Sequence, residues 1–207
     1  MTGGRRLKWE RGAASVDEDF LATLRRIGAL KEGHFLLSSG RHSDRYIEKF
    51  DLLRQPRAAS AACRVIADRF ADDAIDVVVG PTTGGILLAF ETARQLGTSA
   101  AYAERDEGSQ TRVFRRGQSF TPGARVLLVD DILTTGGAVR ETLAALANQP
   151  VTVAAIAVLV DRSGGAVAFE ASLFALATIE VATWEPADCP LCAAGMPLVK
   201  PGTTPGI

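Results

Sequence analysis

The sequence between residues 57 and 160 alternates short apolar runs with segments long enough for helices, and this alternation constrains the fold more than any other feature. Strands separated by helices of this length form βαβ units, in which helices cover both faces of a parallel sheet. The crossovers are expected to be right-handed, and ligands are expected beyond the carboxyl ends of the strands. The predicted strands are 76–80, 99–103, 125–130 and 151–160, and the predicted helices are 57–70, 84–97 and 136–148.

The segments on either side of this core have shorter and weaker patterns. Residues 1–14 are expected to be flexible, and Ser15 with Glu18 forms an S-x-x-E capping box that predicts a helix over 16–28. Two short strands, 34–37 and 45–50, are predicted around a polar turn. The chain then divides into a flexible N-terminus (1–14), an N-terminal helix with two strands (15–56), an α/β core (57–165) and C-terminal strands with a tail (166–207).

Charge and hydropathy exclude several classes of protein. The net charge of −1 provides no general attraction to nucleic acid or to an anionic membrane. No apolar run reaches the roughly 18 residues that a membrane span requires. The N-terminus has basic residues without an apolar stretch behind them, which is unlike a secretory signal. A cytoplasmic protein that binds neither membrane nor nucleic acid is expected.

The segment with the most specific chemistry is VLLVDDILTTGGA, residues 126–138. Its strand brings Asp130 and Asp131 to a carboxyl end, and a Thr-Thr-Gly-Gly turn then opens a helix. Free amides at a helix start bind a phosphate group, whereas two carboxylates accept hydrogen bonds from vicinal hydroxyls. The pattern therefore predicts a site that holds the two ends of a sugar phosphate. The alternative is an ordinary loop with a threonine N-cap and two surface aspartates.

This segment resembles the phosphoribosyl-diphosphate (PRPP) motif of the type I phosphoribosyltransferases. The resemblance implies a central parallel sheet flanked by helices, with a small hood from the N- and C-terminal segments. It also implies that Asp130 and Asp131 hold the ribose and that the following loop holds the 5′-phosphate. A second loop, Gly80–Gly85, matches the diphosphate loop of the family, although it also fits a plain strand–turn–helix junction. The PRPP-binding residues implied in these two loops are Asp130, Asp131, Ile132, Leu133, Thr134, Thr135, Gly136, Gly137, Ala138, Thr82, Thr83, Gly84 and Gly85.

Within that family the chain is most similar to the orotate phosphoribosyltransferases. The stretch Ser39–Ser43 resembles their S-G-R-x-S hood element, and Val160-Asp161-Arg162 resembles their strand-ending Asp-Arg pair. The resemblance implies that Arg162 pairs with the carboxylate of orotate, a group that purine bases lack. It places Tyr46, Ile47 and Thr134 at the base as well. The alternatives are hood packing for Tyr46 and a surface role for Arg162.

The polar segment 105–116 departs from the family pattern. The mobile loop of the family usually carries lysines and a histidine, but this segment has neither, and Ser38 stands where many orotate enzymes have a lysine. Four arginines, Arg105, Arg112, Arg115 and Arg116, are expected to bind diphosphate instead. The other interpretation is that transferase activity has been lost.

The resemblance implies a Mg²⁺-dependent transfer from PRPP to orotate in a homodimer. The ion is expected to be held through PRPP, with no metal ligand from the protein. The catalytic residues expected are Asp130, Asp131 and Arg105. Two other functions stay open: a purine-type phosphoribosyltransferase, and a non-catalytic regulator that binds PRPP or a nucleotide.

The C-terminal part contains one C-x-x-C motif, formed by Cys189 and Cys192. A structural zinc site needs about four ligands. Cys63 is the only other cysteine of the chain, and the two histidines, His34 and His42, are far from the C-x-x-C motif in the sequence. Three cysteines do not make a disulfide framework. Simple packing of the two thiols is therefore the favoured interpretation, and a metal shared between two copies or a redox pair are the alternatives.

Overall fold

The computed structural model describes residues 16–109 and 111–201. Some of the predictions fall outside these residues: the flexible segment 1–14, Ser15 of the capping box, Gln110 of the arginine-rich segment, and the end of the tail, 202–207. Within the described ranges the helices are α1 (Val16–Arg26), α2 (Lys49–Leu53), α3 (Pro56–Arg69), α4 (Gly84–Leu96), α5 (Gly137–Leu146) and α6 (Pro190–Ala193). The strands are β1 (Leu30–Leu36), β2 (His42–Ile47), β3 (Val77–Pro81), β4 (Ser99–Arg105), β5 (Arg112–Val113), β6 (Ala124–Leu133), β7 (Val151–Asp161), β8 (Ser172–Thr178) and β9 (Thr183–Trp184).

The central sheet has the order β5-β4-β3-β6-β7-β8. All its pairings are parallel except that of the two-residue strand β5 with β4. This confirms the predicted α/β class with a mostly parallel sheet. The sheet order brings the carboxyl ends of β3, β6 and β7 next to one another, which are the strands that precede the three segments singled out in the sequence.

Two apolar cores cover the two faces of this sheet. Side chains alternate between the faces along each strand, so Val78 and Leu127 enter one core and Val79 and Leu128 enter the other. The first core lies under α1, α2, α3 and α4, and the second lies under α5. This explains why the strands read as continuous apolar runs.

The hood is a second, smaller sheet with the order β1-β2-β9. Both of its pairings are antiparallel. The C-terminal segment adds one more link, since Phe35 of β1 forms an isolated bridge with Val199. The N- and C-terminal parts of the chain therefore build the hood together, as the resemblance implied.

Both predicted strands of the hood are wrong in part, since the strand predicted over residues 34–37 is β1, which begins earlier, at Leu30. The strand predicted over residues 45–50 ends at Ile47, and the helix α2 begins at Lys49. The side chain of Glu48 causes this change of direction, because it accepts a hydrogen bond from the backbone N–H of Phe50 at 3.2 Å and so caps α2. A sequence pattern could not separate five helical residues from the end of a strand. Among the described helices, none combines the length and the apolar character needed to cross a bilayer.

Candidate active site

Asp130 and Asp131 lie near the end of β6, and both carboxylates are buried. Oδ1 of Asp130 accepts a hydrogen bond from the backbone N–H of Asp131 at 2.8 Å. Oδ1 of Asp131 accepts one from the N–H of Ile132, also at 2.8 Å. These bonds to the adjacent backbone hold both side chains at the edge of the sheet. Because both carboxylates are buried, they are not the two surface aspartates of the alternative interpretation.

The two acids have different electrostatic surroundings. Burial, with a further contribution from the negative charge of Asp131, raises the pKa of Asp130 to about 7. Nζ of Lys49 lies 3.0 Å from Oδ2 of Asp131, which makes an ion pair without hydrogen-bond geometry. Oδ2 therefore has no hydrogen-bond partner among the described residues. Lys49 thus balances the charge of Asp131 at this oxygen.

The loop after β3 packs directly against the acid pair. A Cβ atom on Gly84 would lie only 2.0 Å from Oδ2 of Asp131, so only glycine fits there. The backbones of Gly80 and Gly85 also approach each other closely, since a Cβ on Gly80 would lie 2.1 Å from the carbonyl oxygen of Gly85. Thr83, in contrast, is exposed, and the peptide bond between Thr82 and Thr83 is cis. The predicted diphosphate loop and the predicted ribose acids thus form one site.

The Thr-Thr-Gly-Gly turn opens α5 on the other side of the acid pair. Gly136 caps this helix in the left-handed conformation, with φ at 80°. A Cβ there would lie 3.0 Å from Val167 and 3.1 Å from Phe169, so a larger residue is excluded for space as well as for conformation. Thr134 and Thr135 are exposed, and so is Gly137 at the first helical position. The turn therefore presents hydroxyls and helix-start amides to solvent, as phosphate binding requires.

Arg162 follows β7 and lies beside this turn, because its backbone N–H donates to the carbonyl oxygen of Leu133 at 2.8 Å. Asp161 shapes the bend after it by accepting hydrogen bonds from the N–H groups of Ser163 and Gly165. Burial lowers the pKa of Arg162. Its Nε is buried and has no hydrogen-bond partner among the described residues. A buried donor without a partner is rare in folded proteins and indicates a missing acceptor.

A cavity of about 380 Å³ opens in front of Arg162. This volume is typical of sites for small organic ligands. Residues of β2, of the turn after β7 and of the segment before β9 line it: Asp44, Arg45, Arg162, Ser163, Gly164, Glu180, Val181 and Ala182. The cavity therefore lies between the hood and the end of the central sheet.

The two other residues expected at the base have different surroundings. Tyr46 is half-buried against Phe35, with ring centroids 5.8 Å apart. Burial raises the pKa of Tyr46, and the nearby charge of Arg162 opposes that shift. Ile47 is buried in the apolar core under α1 and α2, which leaves little of it for a ligand. Tyr46 thus lies near Arg162, and Ile47 contributes mainly to packing.

The four arginines expected at the diphosphate all have acidic partners. Arg105 and Arg112 share Glu141 of α5, at 3.1 and 3.2 Å. Arg115 pairs with Asp106, and Arg116 pairs with Glu104. Arg112 is buried, whereas the other three are exposed.

Arg112 is bound to the diphosphate loop itself. Its Nη1 donates to Oγ1 of Thr82 and to the carbonyl oxygen of Ala103, each at 3.2 Å. Among the four arginines, Arg112 therefore has a clear role in shaping the loop.

Sequence reasoning missed two charged residues of the site. Lys49, which pairs with Asp131, was assigned to the strand 45–50, and no local pattern marks it. Glu141, which pairs with two of the arginines, looks like an ordinary surface residue of a helix. Both roles depend on contacts between distant parts of the chain.

Comparisons with known proteins agree with this geometry. Residues 51–191 match the family model described as "Phosphoribosyl transferase domain". Orotate phosphoribosyltransferase of Pelotomaculum thermopropionicum is 47% identical over 186 residues, which cover 90% of this chain and 97% of that protein. The orotate phosphoribosyltransferase of Caldicellulosiruptor bescii is 44% identical over 89% of this chain and 96% of its own length.

Solved structures of phosphoribosyltransferases are also similar to this chain. Orotate phosphoribosyltransferase from Aeropyrum pernix matches with a TM-score of 0.63 and 30% identity, over 76% of this chain and 92% of that chain. Adenine phosphoribosyltransferase from Thermoanaerobacter pseudethanolicus matches with a TM-score of 0.54 and 15% identity, over 65% of this chain and 88% of that one. The second similarity concerns the fold alone.

Proposed function

This chain belongs to the phosphoribosyltransferase family, and we propose that it is an enzyme that transfers the 5-phosphoribosyl group of PRPP to orotate. The products are orotidine 5′-phosphate and diphosphate, and the reaction is a step of de novo pyrimidine synthesis. The observation that carries the proposal is the buried acid pair lying against Gly84 of the loop after β3, with the Thr-Thr-Gly-Gly turn directly after it.

In this proposal the ribose lies over Asp130 and Asp131, whose oxygens accept hydrogen bonds from its two hydroxyls. The exposed hydroxyls and helix-start amides from Thr134 to Ala138 bind the 5′-phosphate. The base nitrogen attacks the anomeric carbon as diphosphate leaves, and positive charge develops on the ribose ring. The two carboxylates stabilise that charge, since they are fixed before the reaction by their bonds to the backbone.

Arg162 is proposed to bind the carboxylate of orotate in the cavity between the hood and the sheet. Its unpartnered Nε supports this, because a planar carboxylate accepts two parallel bonds from a guanidinium group. Tyr46 and Thr134 are proposed to border the ring, while Ile47, the next residue of β2, is buried in the core on the opposite face of the strand. Glu180 also lines the cavity and repels an anion, so orotate is expected to bind on the arginine side.

Arg105, Arg115 and Arg116 are proposed to bind the departing diphosphate after leaving their acidic partners. Exposed ion pairs are weak, which makes such an exchange inexpensive. Arg112 is proposed to hold the diphosphate loop in shape through Thr82. The exchange of partners by Arg105, Arg115 and Arg116 would let the arginine-rich segment close over bound PRPP.

Mg²⁺ fits this site, because it prefers oxygen ligands and the two buried carboxylates of Asp130 and Asp131 lie side by side at the end of β6. We propose that the ion is held through PRPP, with no ligand from the protein, and that Asp130 and Asp131 would orient the ribose hydroxyls beside it. When bound, Mg²⁺ neutralises negative charge on the diphosphate. The cytoplasmic location expected from the sequence and the homodimer implied by the family resemblance are part of the same proposal. Leu87 and Phe90, two exposed apolar side chains on α4, support an association between copies.

The test is a comparison of acceptor bases with purified protein, PRPP and Mg²⁺. Release of diphosphate with orotate, and not with adenine or hypoxanthine, is the expected result. Turnover with a purine base alone would make the chain a purine-type enzyme. Binding of PRPP without turnover of any base would make it a regulator, and the pairing of every arginine of the loop with an acid is the observation that favours this second candidate.

A further inference from the structure

Two histidines and two cysteines meet in the hood, away from the acid pair. His34 lies on β1 and His42 begins β2, while Cys189 caps the start of α6 and Cys192 lies within that helix. One ligand atom from each of the four lies within 4.8 Å of all the others. His34 and Cys189 are 155 residues apart in the chain, which is why the sequence did not suggest this cluster.

The ring of His34 is oriented so that one nitrogen faces the cluster with its lone pair. Its Nδ1 lies 2.8 Å from the carbonyl oxygen of Met196, and a carbonyl only accepts, so Nδ1 carries the proton. Nε2 then presents its lone pair to three close neighbours: Nδ1 of His42 at 3.0 Å, Sγ of Cys189 at 3.4 Å and Sγ of Cys192 at 3.7 Å. One lone pair cannot satisfy three such groups. A bond from a histidine to a backbone carbonyl is also the usual support of a metal-binding imidazole.

Four of the six separations between the ligand atoms are close to those of a tetrahedron around a metal ion, and the other two do not exceed 4.8 Å. Zinc bonds of about 2.0–2.3 Å to nitrogen and sulfur place neighbouring ligand atoms about 3.3–3.8 Å apart. Here the nitrogen–nitrogen distance is 3.0 Å, and the sulfur–nitrogen distances are 3.3, 3.4 and 3.7 Å. Shifts of about 1 Å or less would therefore bring all four atoms to bonding distance of one ion.

Charge favours the same conclusion. His34, His42 and Cys189 are buried, and Cys192 is at the surface. Zn²⁺ with two thiolates and two neutral imidazoles has no net charge, so a buried site of this composition avoids the cost of an uncompensated ion. The two thiol protons are released to solvent as the metal binds.

The segment that carries the cysteines is bonded to the hood at its two ends, through Thr183 and Val199, but between them Cys189 is its only buried residue. It consists of the two-residue strand β9, one turn of 3-10 helix (Pro186–Asp188) and the four-residue helix α6. Neither the 3-10 turn nor α6 has a buried residue. A metal that joins this segment to β1 and β2 would supply the missing stabilisation.

We propose that His34, His42, Cys189 and Cys192 bind one Zn²⁺ ion through Nε2, Nδ1 and the two Sγ atoms, and that this ion fixes the C-terminal segment on the hood. The site is structural, since all four positions are filled by protein atoms. It replaces the interpretation of the cysteines as packing residues, and it lies apart from the Mg²⁺ proposed at the acid pair. A disulfide between the cysteines would use both sulfurs and leave the paired histidines without a reason.

The first experiment measures zinc by elemental analysis in untagged protein purified without chelators. The expected result is one equivalent per chain, and less than a tenth of that in the Cys189→Ser, Cys192→Ser double variant. Cys63→Ser is the matched control, because Cys63 is buried on α3, outside the cluster, and should leave the zinc content unchanged. An equal zinc content in the double variant would overturn the proposal.

The second experiment does not depend on whether the double variant folds. Wild-type protein stripped of metal and loaded with Co²⁺ should show the visible bands of a tetrahedral site together with a thiolate-to-metal band. Stripped protein that takes up neither Zn²⁺ nor Co²⁺ while it remains folded would contradict the site. An intact mass two hydrogens below that of the reduced chain, with the cysteines resistant to alkylation, would identify a disulfide instead.

Discussion

Asp130 is a buried acid that the fold holds at a cost in stability. Its pKa is raised from 3.8 to about 7, so the folded protein binds this proton more tightly than the unfolded chain does. The free energy of unfolding must therefore fall as the pH rises between these two values, and it stays low above the higher one. Asp130→Asn removes the charge and retains an oxygen that can accept from the N–H of Asp131.

We expect Asp130→Asn to raise the melting temperature by up to about 10 °C at pH 8, with a clearly smaller gain at pH 5. Thermal unfolding of both proteins at the two pH values is the measurement. Asp68→Asn is the control, because Asp68 is an exposed carboxyl of α3 and should give no such pH dependence. A gain of the same size at both pH values would show that burial of the charge is not the cause.

Arg162 should determine the choice of base. A hydrogen-bonded pair between charged groups contributes about 1.5–3 kcal/mol, so Arg162→Ala should raise the KM for orotate roughly 10- to 150-fold. The KM for PRPP should stay within about a factor of two or three, because Arg162 does not face the proposed phosphate sites. Steady-state kinetics with each substrate varied in turn would test this.

Two variants make that test specific. Arg162→Lys keeps the charge and loses the planar fork, so it should recover only part of the loss. Arg45→Ala removes the other arginine that lines the same cavity. If Arg45→Ala abolished orotate binding while Arg162→Ala did not, the assignment of the base site would be wrong.

Among the elements, the turn before α5 has the narrowest sequence requirement. Gly136→Ala should cost about 1 kcal/mol for the left-handed conformation. It should also displace the turn, because the new Cβ would press on Val167 and Phe169. The 5′-phosphate then loses its amides, and we expect the KM for PRPP to rise at least about tenfold, since 1.4 kcal/mol corresponds to that factor.

Gly97→Ala is the matched control for that variant. Gly97 ends α4 with φ at 74°, and a Cβ there would meet nothing within 4 Å. The two substitutions share the conformational cost, and only the first disturbs the turn. An unchanged KM for PRPP in Gly136→Ala would argue against phosphate binding at the start of α5.

Elements of the core could be predicted from the sequence because their signals are local. The four apolar strands and three helices between residues 57 and 160 were each found within a few residues of their observed bounds. The motif at 130–138 was equally clear, since adjacent acids and paired glycines have few other uses. The helix α2 was missed because its five residues depend on a cap by Glu48 and on packing of Leu52 and Leu53.

Other parts of the site lie beyond such reasoning. Lys49 reaches Asp131 from a different part of the chain, and Glu141 meets arginines that are distant in sequence. The histidines and cysteines of the hood come together only after β1, β2 and α6 are assembled. The sequence of this chain contains all of these residues, but it does not indicate which of them contact one another.

At the level of the complete fold, α4 carries an exposed apolar area on its surface. Leu87 and Phe90 lie one turn apart on this helix, and Phe90 is 65% exposed. Large apolar side chains grouped on a surface favour association with another protein surface. We predict that wild-type protein is a dimer in solution and that Leu87→Glu with Phe90→Glu shifts it to the monomer.

Light scattering after size-exclusion chromatography would measure this directly. Leu198→Glu serves as the control, because Leu198 is also exposed but lies in the C-terminal segment. A wild-type monomer at micromolar concentration, or a double variant that remains a dimer, would rule out α4 as the interface.

The acid pair gives the sharpest test of the proposed chemistry. Orotate consumption in the presence of PRPP and Mg²⁺ should be measured for the wild type and for Asp130→Asn with Asp131→Asn, after thermal unfolding has shown that both are folded. Loss of the two charges that stabilise the ribose cation should lower kcat by about three orders of magnitude or more. A folded double variant that converts orotate at the wild-type rate would contradict the role assigned to these carboxylates and with it the proposed mechanism.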